Sequence, residues 1–160
     1  MTIAESNYRD ALLLIPYSIC ALTTRQGDEI NASIASWLMQ VSFEPPMVVI
    51  AIDKNSHSHE LLSKGGTFGI NFLDASQISV ANRLALPRRL RPQHLAGIAH
   101  RMSEGGTPIL EEALAFLECK VGSSHDPAGD HTLFVGEVIS GGIERHGDPM
   151  TLKESGLKYR

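Results

Sequence analysis

The sequence predicts a mainly β fold, an antiparallel barrel with accessory helices, from three observations. Met47 to Ile52 is an unbroken apolar run directly after Pro45-Pro46, and six apolar residues bounded by turn signals suit a strand buried on both faces. Tyr17 to Thr24 and Thr67 to Leu73 are short, near-alternating and rich in β-branched or aromatic residues, the mark of further strands. Tight-turn chemistry separates such runs at Gln26-Gly27-Asp28 and at His125-Asp126-Pro127-Ala128-Gly129. Strands joined this way pair antiparallel. About six strands and two clear helices are expected.

From the N-terminus, Asn7 to Leu14 reads as a short helix capped by Ser6 or Asn7 and stopped by Pro16, which disfavours the helical conformation of its predecessor. Tyr17 to Thr24 is the first strand, and the Gly27 turn leads into Glu29 to Ser33. A strand around Val41 and the run from Met47 follow. Asn55 or Ser56 can cap a helix from about His57 to Lys64, which Gly65-Gly66 ends. Thr67 to Leu73 is again a strand. Asp74 and Gln77 have capping-box spacing, and Ile78, Ala81, Leu84 and Ala85 mark a helical face closed by Pro87. Arg88 to Gly106 reads as a long excursion or loop. Pro108 to Ala113 suits a helical turn. Leu114 to Gly122 and His131 to Ile143 are strands, and the tail after Gly147-Asp148-Pro149 is polar.

The 160 residues fit one domain, spanning 1–160, with a sizeable core. With 42% apolar and 20% charged residues the composition is that of a globular chain rather than a disordered one. A formal net charge of -4 gives no support to nucleic-acid binding. No apolar run approaches the ~18–20 residues of a membrane span. Met1 to Asp10 lacks the order of a signal peptide. Cys20 and Cys119 sit in apolar strand settings and read as buried free thiols. A cytoplasmic location is expected.

Common chemical motifs are missing from the sequence. Neither G-x-G-x-x-G nor G-x-x-x-x-G-K-[ST] occurs, so dinucleotide-fold and P-loop readings lose their support. The histidines include His57-x-His59, whose rings would diverge on a helix, and there is no H-E-x-x-H, so no metal site is expected. Without G-x-S-x-G, and with no basic residue beside the cysteines except Lys120, a hydrolase is disfavoured. Arg88, Arg89 and Arg91 could meet phosphates or form a solvated loop.

Two clusters stand out. In Asn31 to Ser58, a small polar run (Asn31, Ser33, Ser36) and the segment Asp53 to Ser58 flank the apolar strand, so one end could hold a polar ring edge and the other an anionic tail. In Gly129-Asp130-His131, a histidine opens a strand after a tight turn, which puts its ring at a sheet end.

Together these clusters resemble the flavin reductase-like family, whose fold is an FMN-binding split β-barrel of Greek-key type. The matching stretches are N-A-S-I-A-S-W-L-M-Q-V-S-F-E-P-P at 31–46, the strand to Asp53, F-G-I-N-F-L at 68–73, P-I-L-E-E-A-L-A-F-L-E-C-K-V at 108–121 and G-D-H-T-L-F-V-G-E-V at 129–138. They occur in the family's order and cover nearly the whole chain.

The resemblance implies a homodimer with one flavin per subunit, FMN, or FAD as the alternative. NAD(P)H would be the co-substrate, giving hydride to flavin N5. A monooxygenase or an electron-transfer partner could receive the electrons. By the same resemblance Ile34, Ala35, Ser36 and Trp37 contact the flavin ring, Ser42 lies toward the ribityl chain, and Lys54, Ser56 and Ser58 hold the phosphate. His131 lies near flavin and nicotinamide as the catalytic candidate, orienting the nicotinamide or polarising the ring. Many members carry Thr where this chain has Ile34, so a side-chain hydrogen bond is lost there while a backbone contact survives. Two alternatives stand beside the reductase. One is a flavin-binding electron carrier, flavoredoxin-like, that does not use NAD(P)H directly. The other is a non-catalytic small-molecule or haem-binding barrel with His57, His59 or His131 as axial ligand.

Overall fold

A computed structural model describes residues 3–90 and 95–158, and side chains from Tyr8 onward. In chain order the elements are α1 (Ile3–Leu12), β1 (Cys20–Gln26), β2 (Glu29–Ala35), β3 (Leu38–Phe43), β4 (Pro46–Asp53), α2 (His57–Ser63), β5 (Thr67–Phe72), α3 (Ile78–Ala85), a 3-10 turn (Arg88–Leu90), β6 (His100–Met102), β7 (Pro108–Leu110), β8 (Ala115–His125), β9 (His131–Ile143) and α4 (Leu152–Ser155). Seven strands form one sheet in the order β2-β1-β5-β8-β9-β4-β3, every pair antiparallel.

That order requires the sheet to curl. In a flat sheet β2 and β3 would lie about 29 Å apart at a strand spacing of ~4.8 Å. In the chain only Ser36 and Trp37 separate them, a link that reaches about 11 Å fully extended. The sheet therefore wraps round until its edges meet, without hydrogen bonds between β2 and β3. This is an open, split barrel, and the 36–37 link lies at the split.

The period of two in β1 shows how the sheet serves two cores. Cys20 and Leu22 point into the barrel, where they meet Ile50, Phe68, Ile70, Cys119 and Phe134. Ile19 and Ala21 point outward into a second core with Leu73, Ala81, Leu84, Leu110 and Met150. Alternating side chains on a strand covered on both faces give this division. Burying each large apolar side chain contributes roughly 1.5–3 kcal/mol.

Several local expectations need correction. α1 begins at Ile3, so Ser6 and Asn7 lie within the helix and do not cap it. β4 is not buried on both faces: Val48, Ile50 and Ile52 are buried, whereas Met47, Val49 and Ala51 are half-exposed. The strand lies next to the edge strand β3. Pro108 to Leu110 is strand β7, paired with β6, and not a helical turn. Its backbone is held by side chains from the barrel: Thr23 Oγ1 donates to the Pro108 carbonyl at 2.6 Å, and Leu110 N–H donates to Asn71 Oδ1 at 2.8 Å. The polar tail contains α4, capped by Thr151. The chain before it pairs back onto the start of β1, with Ile19 N–H on the Met150 carbonyl. Arg88 to Gly106 carries a 3-10 turn and β6; its Arg91 lies outside the described residues.

Other expectations match the structure. β9 has the expected bounds, and the β1–β2 hairpin turns through Gly27 and Asp28, with Gly27 at φ 59°. Ser56 caps α2, accepting from His59 N–H at 3.1 Å. At α3 only half of the capping box forms. Gln77 Oε1 accepts from Asp74 N–H, but Asp74 Oδ1 takes the Ser76 N–H.

Candidate functional site

The barrel split opens into a cleft of about 1080 Å³, continuous in its lining with a smaller hollow of about 190 Å³. This is at the upper end of the ~300–1,000 Å³ usual for small-molecule sites. One wall is the end of β2 with the 36–37 link. The floor is the end of β4 and the start of α2. The start of β9 closes one side, and the end of α1 with residues 84–88 forms the opposite wall.

The planar part of the site is aromatic. The Trp37 indole lies against the His131 ring with centroids 4.5 Å apart, and Tyr17 stands 6.3 Å from Trp37. Strand pairing places these groups: Asp53 pairs with His131, and Ala51 N–H donates to the Trp37 carbonyl at 3.0 Å. His131 Nδ1 lies 2.7 Å from Asp130 Oδ1. That hydrogen bond holds the Asp130 carboxyl below the usual range. Asp130 is therefore ionised and accepts, Nδ1 carries the hydrogen, and Nε2 is left for a ligand.

The polar part is layered. Ser33 and Ser58 hydroxyls, 2.8 Å apart, both line the cleft, and Asn31 Nδ2 donates to Ser58 Oγ from beneath at 2.8 Å. Asn31 is fully buried, and its Oδ1 has no partner. At the rim His57 sits between two carboxylates, Nε2 at 2.5 Å from Glu29 and Nδ1 at 3.0 Å from Glu60. Arg88 also reaches Glu29, at 2.8 Å. The hydrogen bond from His57 is the main cause holding both carboxyls below the usual range. Both ring nitrogens of His57 are thus engaged by carboxylates.

The structure gathers most of the expected site residues. Ile34, Trp37, Ser56, Ser58 and His131 line the main cleft, and Ala35 and Ser36 line the adjoining hollow. Ser56 Oγ is already engaged, donating to the Asp53 carbonyl and capping α2. Ser42 and Lys54 line neither cavity. Ser42 follows a bulge on the edge strand β3, and Lys54 Nζ lies 2.7 Å from Asp126 Oδ1. His59 bonds Thr132 Oγ1 through Nε2 and packs its ring against Phe134. Both ring nitrogens of His57 are likewise taken, so haem ligation by either would first break these contacts. Among the described residues no group of three or more His, Cys, Asp or Glu could hold a metal ion, and no helix is long and apolar enough to cross a membrane.

Sequence reasoning did not assign Tyr17 to the site, and it named Ser33, His57 and Asp130 only as members of wider clusters, without a role in flavin binding. Ser33 had a local signal, since it shares a strand face with Asn31 at a spacing of two. For Arg88 the sequence offered either a phosphate contact or a solvated loop, and only the fold brings it to Glu29.

A family model described as the flavin reductase like domain matches residues 12–159. The high molecular weight rubredoxin of Moorella thermoacetica is 31% identical over 143 residues, covering 88% of this chain and 62% of that protein. The chain thus spans less than two thirds of that relative, and 25% of a diflavin flavoprotein of Synechocystis that it also matches. Among solved structures, the styrene monooxygenase flavin reductase of Pseudomonas putida S12 superposes with a TM-score of 0.80 at 27% identity, covering 93% of this chain and 94% of that one. An FMN-binding protein from Thermus thermophilus superposes at 0.74 with 28% identity, covering 82% and 72%.

Proposed function

Because the chain belongs to the flavin reductase-like family, we propose that it binds FMN in the cleft at the barrel split and reduces it with NAD(P)H. One observation carries this reading: an aromatic wall, a pair of serine hydroxyls and a rim bearing His57 and Arg88 converge on a single cleft of adequate size. The residues fit the group. A planar ring can lie against Trp37 and Tyr17, the Ile34–Trp37 segment can meet its polar edge, and an anionic arm can run toward Ser33, Ser58 and the His57–Arg88 rim. The structural neighbours include both an FMN-binding protein and an NADH:FAD oxidoreductase, which supports a flavin in the cleft, with FMN as our reading and FAD as the alternative.

When bound, the flavin supplies the hydride-accepting chemistry, and NAD(P)H is the donor. The protein's residues orient and exclude. Trp37 would hold the plane of the ring and shield one side of it from water. His131, with its tautomer set by Asp130, presents Nε2 as an acceptor that can orient an amide N–H of the nicotinamide. Backbone N–H groups of the Ile34–Trp37 segment would donate to the polar edge of the ring and stabilise negative charge developing there. Lys54 and Ser42 belong to the reading as outer contacts. Lys54 would reach a phosphate by leaving Asp126.

We assign the assembly as a homodimer. Met39 on β3 is 62% exposed and Phe43 88%, and half-exposed Val49 stands beside Met39 in register. An apolar strip of this kind suits a second copy. The electrons would pass to a monooxygenase or an electron-transfer partner. The styrene monooxygenase reductase supports the first. The rubredoxin relative favours a second reading, a carrier that receives electrons from another protein. Steady-state oxidation of NADH and NADPH, with and without added FMN, tests the reductase. FMN-dependent oxidation is expected. Bound FMN with no oxidation of either nucleotide refutes the reductase and selects the carrier.

A further inference from the structure

Asn31, Ser58 and Ser33 form a hydrogen-bonded chain running from the buried interior to the cleft. Asn31 Nδ2 donates to Ser58 Oγ at 2.8 Å, and the two serine oxygens are 2.8 Å apart. The hydrogen inventory is fixed. Asn31 supplies one hydrogen to the chain and each serine supplies one. The two contacts consume two of the three. Whichever way the serine–serine bond runs, one hydroxyl hydrogen is left over, and both hydroxyls line the cleft.

The orientation of the Asn31 amide decides this count. As it stands, Oδ1 is the buried atom without a partner. Turned over, the amide would bury both N–H hydrogens unpaired, and an orphaned buried donor is rarer than an under-satisfied carbonyl. It would also draw both serine hydrogens inward, so that the cleft met only lone pairs.

We propose that Asn31 is a positioning residue which, by donating to Ser58, leaves one serine hydrogen for a phosphate oxygen of the bound flavin. The proposal rests on the flavin reading above. A phosphate oxygen is the fitting recipient because it only accepts, whereas a ribityl hydroxyl can accept or donate and would tolerate either direction of the chain. The same cleft presents the Arg88 guanidinium, with the His57 ring beside it, to an anionic arm.

The test compares FMN with riboflavin, which lacks the phosphate, by flavin fluorescence quenching. Asn31→Asp can only accept and reverses the chain. It should weaken FMN by more than about tenfold and riboflavin by less than about threefold, the scale of one hydrogen bond to a charged group. An aspartate charge alone would also repel phosphate, so the serines separate the two causes. Ser33→Ala and Ser58→Ala each leave one hydroxyl hydrogen and should each weaken FMN by at most about threefold; the double variant should weaken it by more than about tenfold. Thermal melting establishes that each variant is folded. If Asn31→Asp does not fold, the serine set decides. Additive serine effects, or equal losses of FMN and riboflavin, overturn the proposal. A wild-type protein that binds neither flavin overturns the flavin reading itself, and this proposal with it.

Discussion

Replacing Gly136 by alanine should destabilise the barrel, although Gly136 sits in a strand where alanine is normally the better residue. Gly136 lies in β9, opposite Val48 of β4 and Val121 of β8. A Cβ there falls 2.7 Å from Phe68 Cζ, 2.8 Å from Cε1 and 3.1 Å from Cys119 Cβ. Relaxed carbon contacts are about 3.5–4.0 Å, so the ring must retreat by roughly 1 Å. Phe68 is fully buried in the barrel core beside Leu22 and Ile70, also fully buried. Overpacking of this kind costs about 1–3 kcal/mol, and the propensity gain of alanine over glycine returns about 0.5–1 kcal/mol. The net is a loss centred on about 1 kcal/mol and reaching about 2.5 kcal/mol, which is a fall of up to about 10 °C in Tm for a domain of this size. Urea and thermal melts measure it. Phe68→Leu should cost stability alone, yet the pair Gly136→Ala/Phe68→Leu should be better than the sum of the singles. A Gly136→Ala protein as stable as wild type, or strictly additive singles, would refute the packing.

Three further outcomes follow from the site. Trp37→Ala should weaken FMN by about tenfold, since an aromatic contact is worth about 0.5–1.5 kcal/mol beyond the area it buries, while Trp37→Phe keeps most of the affinity; equilibrium titration with FMN reads both. Lys54→Ala should weaken FMN and spare riboflavin, and an equal loss for the two would remove Lys54 from the phosphate site. The Glu29 carboxyl is held low, first by the His57 hydrogen bond. Its contribution to stability is therefore present above its unfolded pKa and is lost as pH falls through the folded one. Denaturation from about pH 5 down to about pH 3 should show this loss in wild type and a shallower one in Glu29→Gln.

The barrel was legible because its strands are short and separated by turn residues, and the Ser56 cap of α2 was legible for the same local reason. Misreadings arose where distant contacts decide. Pro108 to Leu110 looks helical in isolation, but Thr23 and Asn71 capture its backbone and hold it extended. The apolar run of β4 suggested two buried faces, yet its outer face lies next to the edge strand and stays half-exposed. Within the site, Ile34 to Trp37 and His131 were legible as the two ends of strands that the barrel brings together. The pairing of His57 and Arg88 through Glu29 was not, because it joins a strand start, a helix start and a 3-10 segment with no shared pattern.

The most direct test of the central claim is the anaerobic absorption spectrum of the purified protein with FMN, before and after addition of NADH or NADPH. The cleft predicts a protein-bound flavin spectrum that bleaches within seconds of adding one nucleotide. A protein that leaves added FMN and FAD unbound, with free-flavin spectra unchanged, would contradict it.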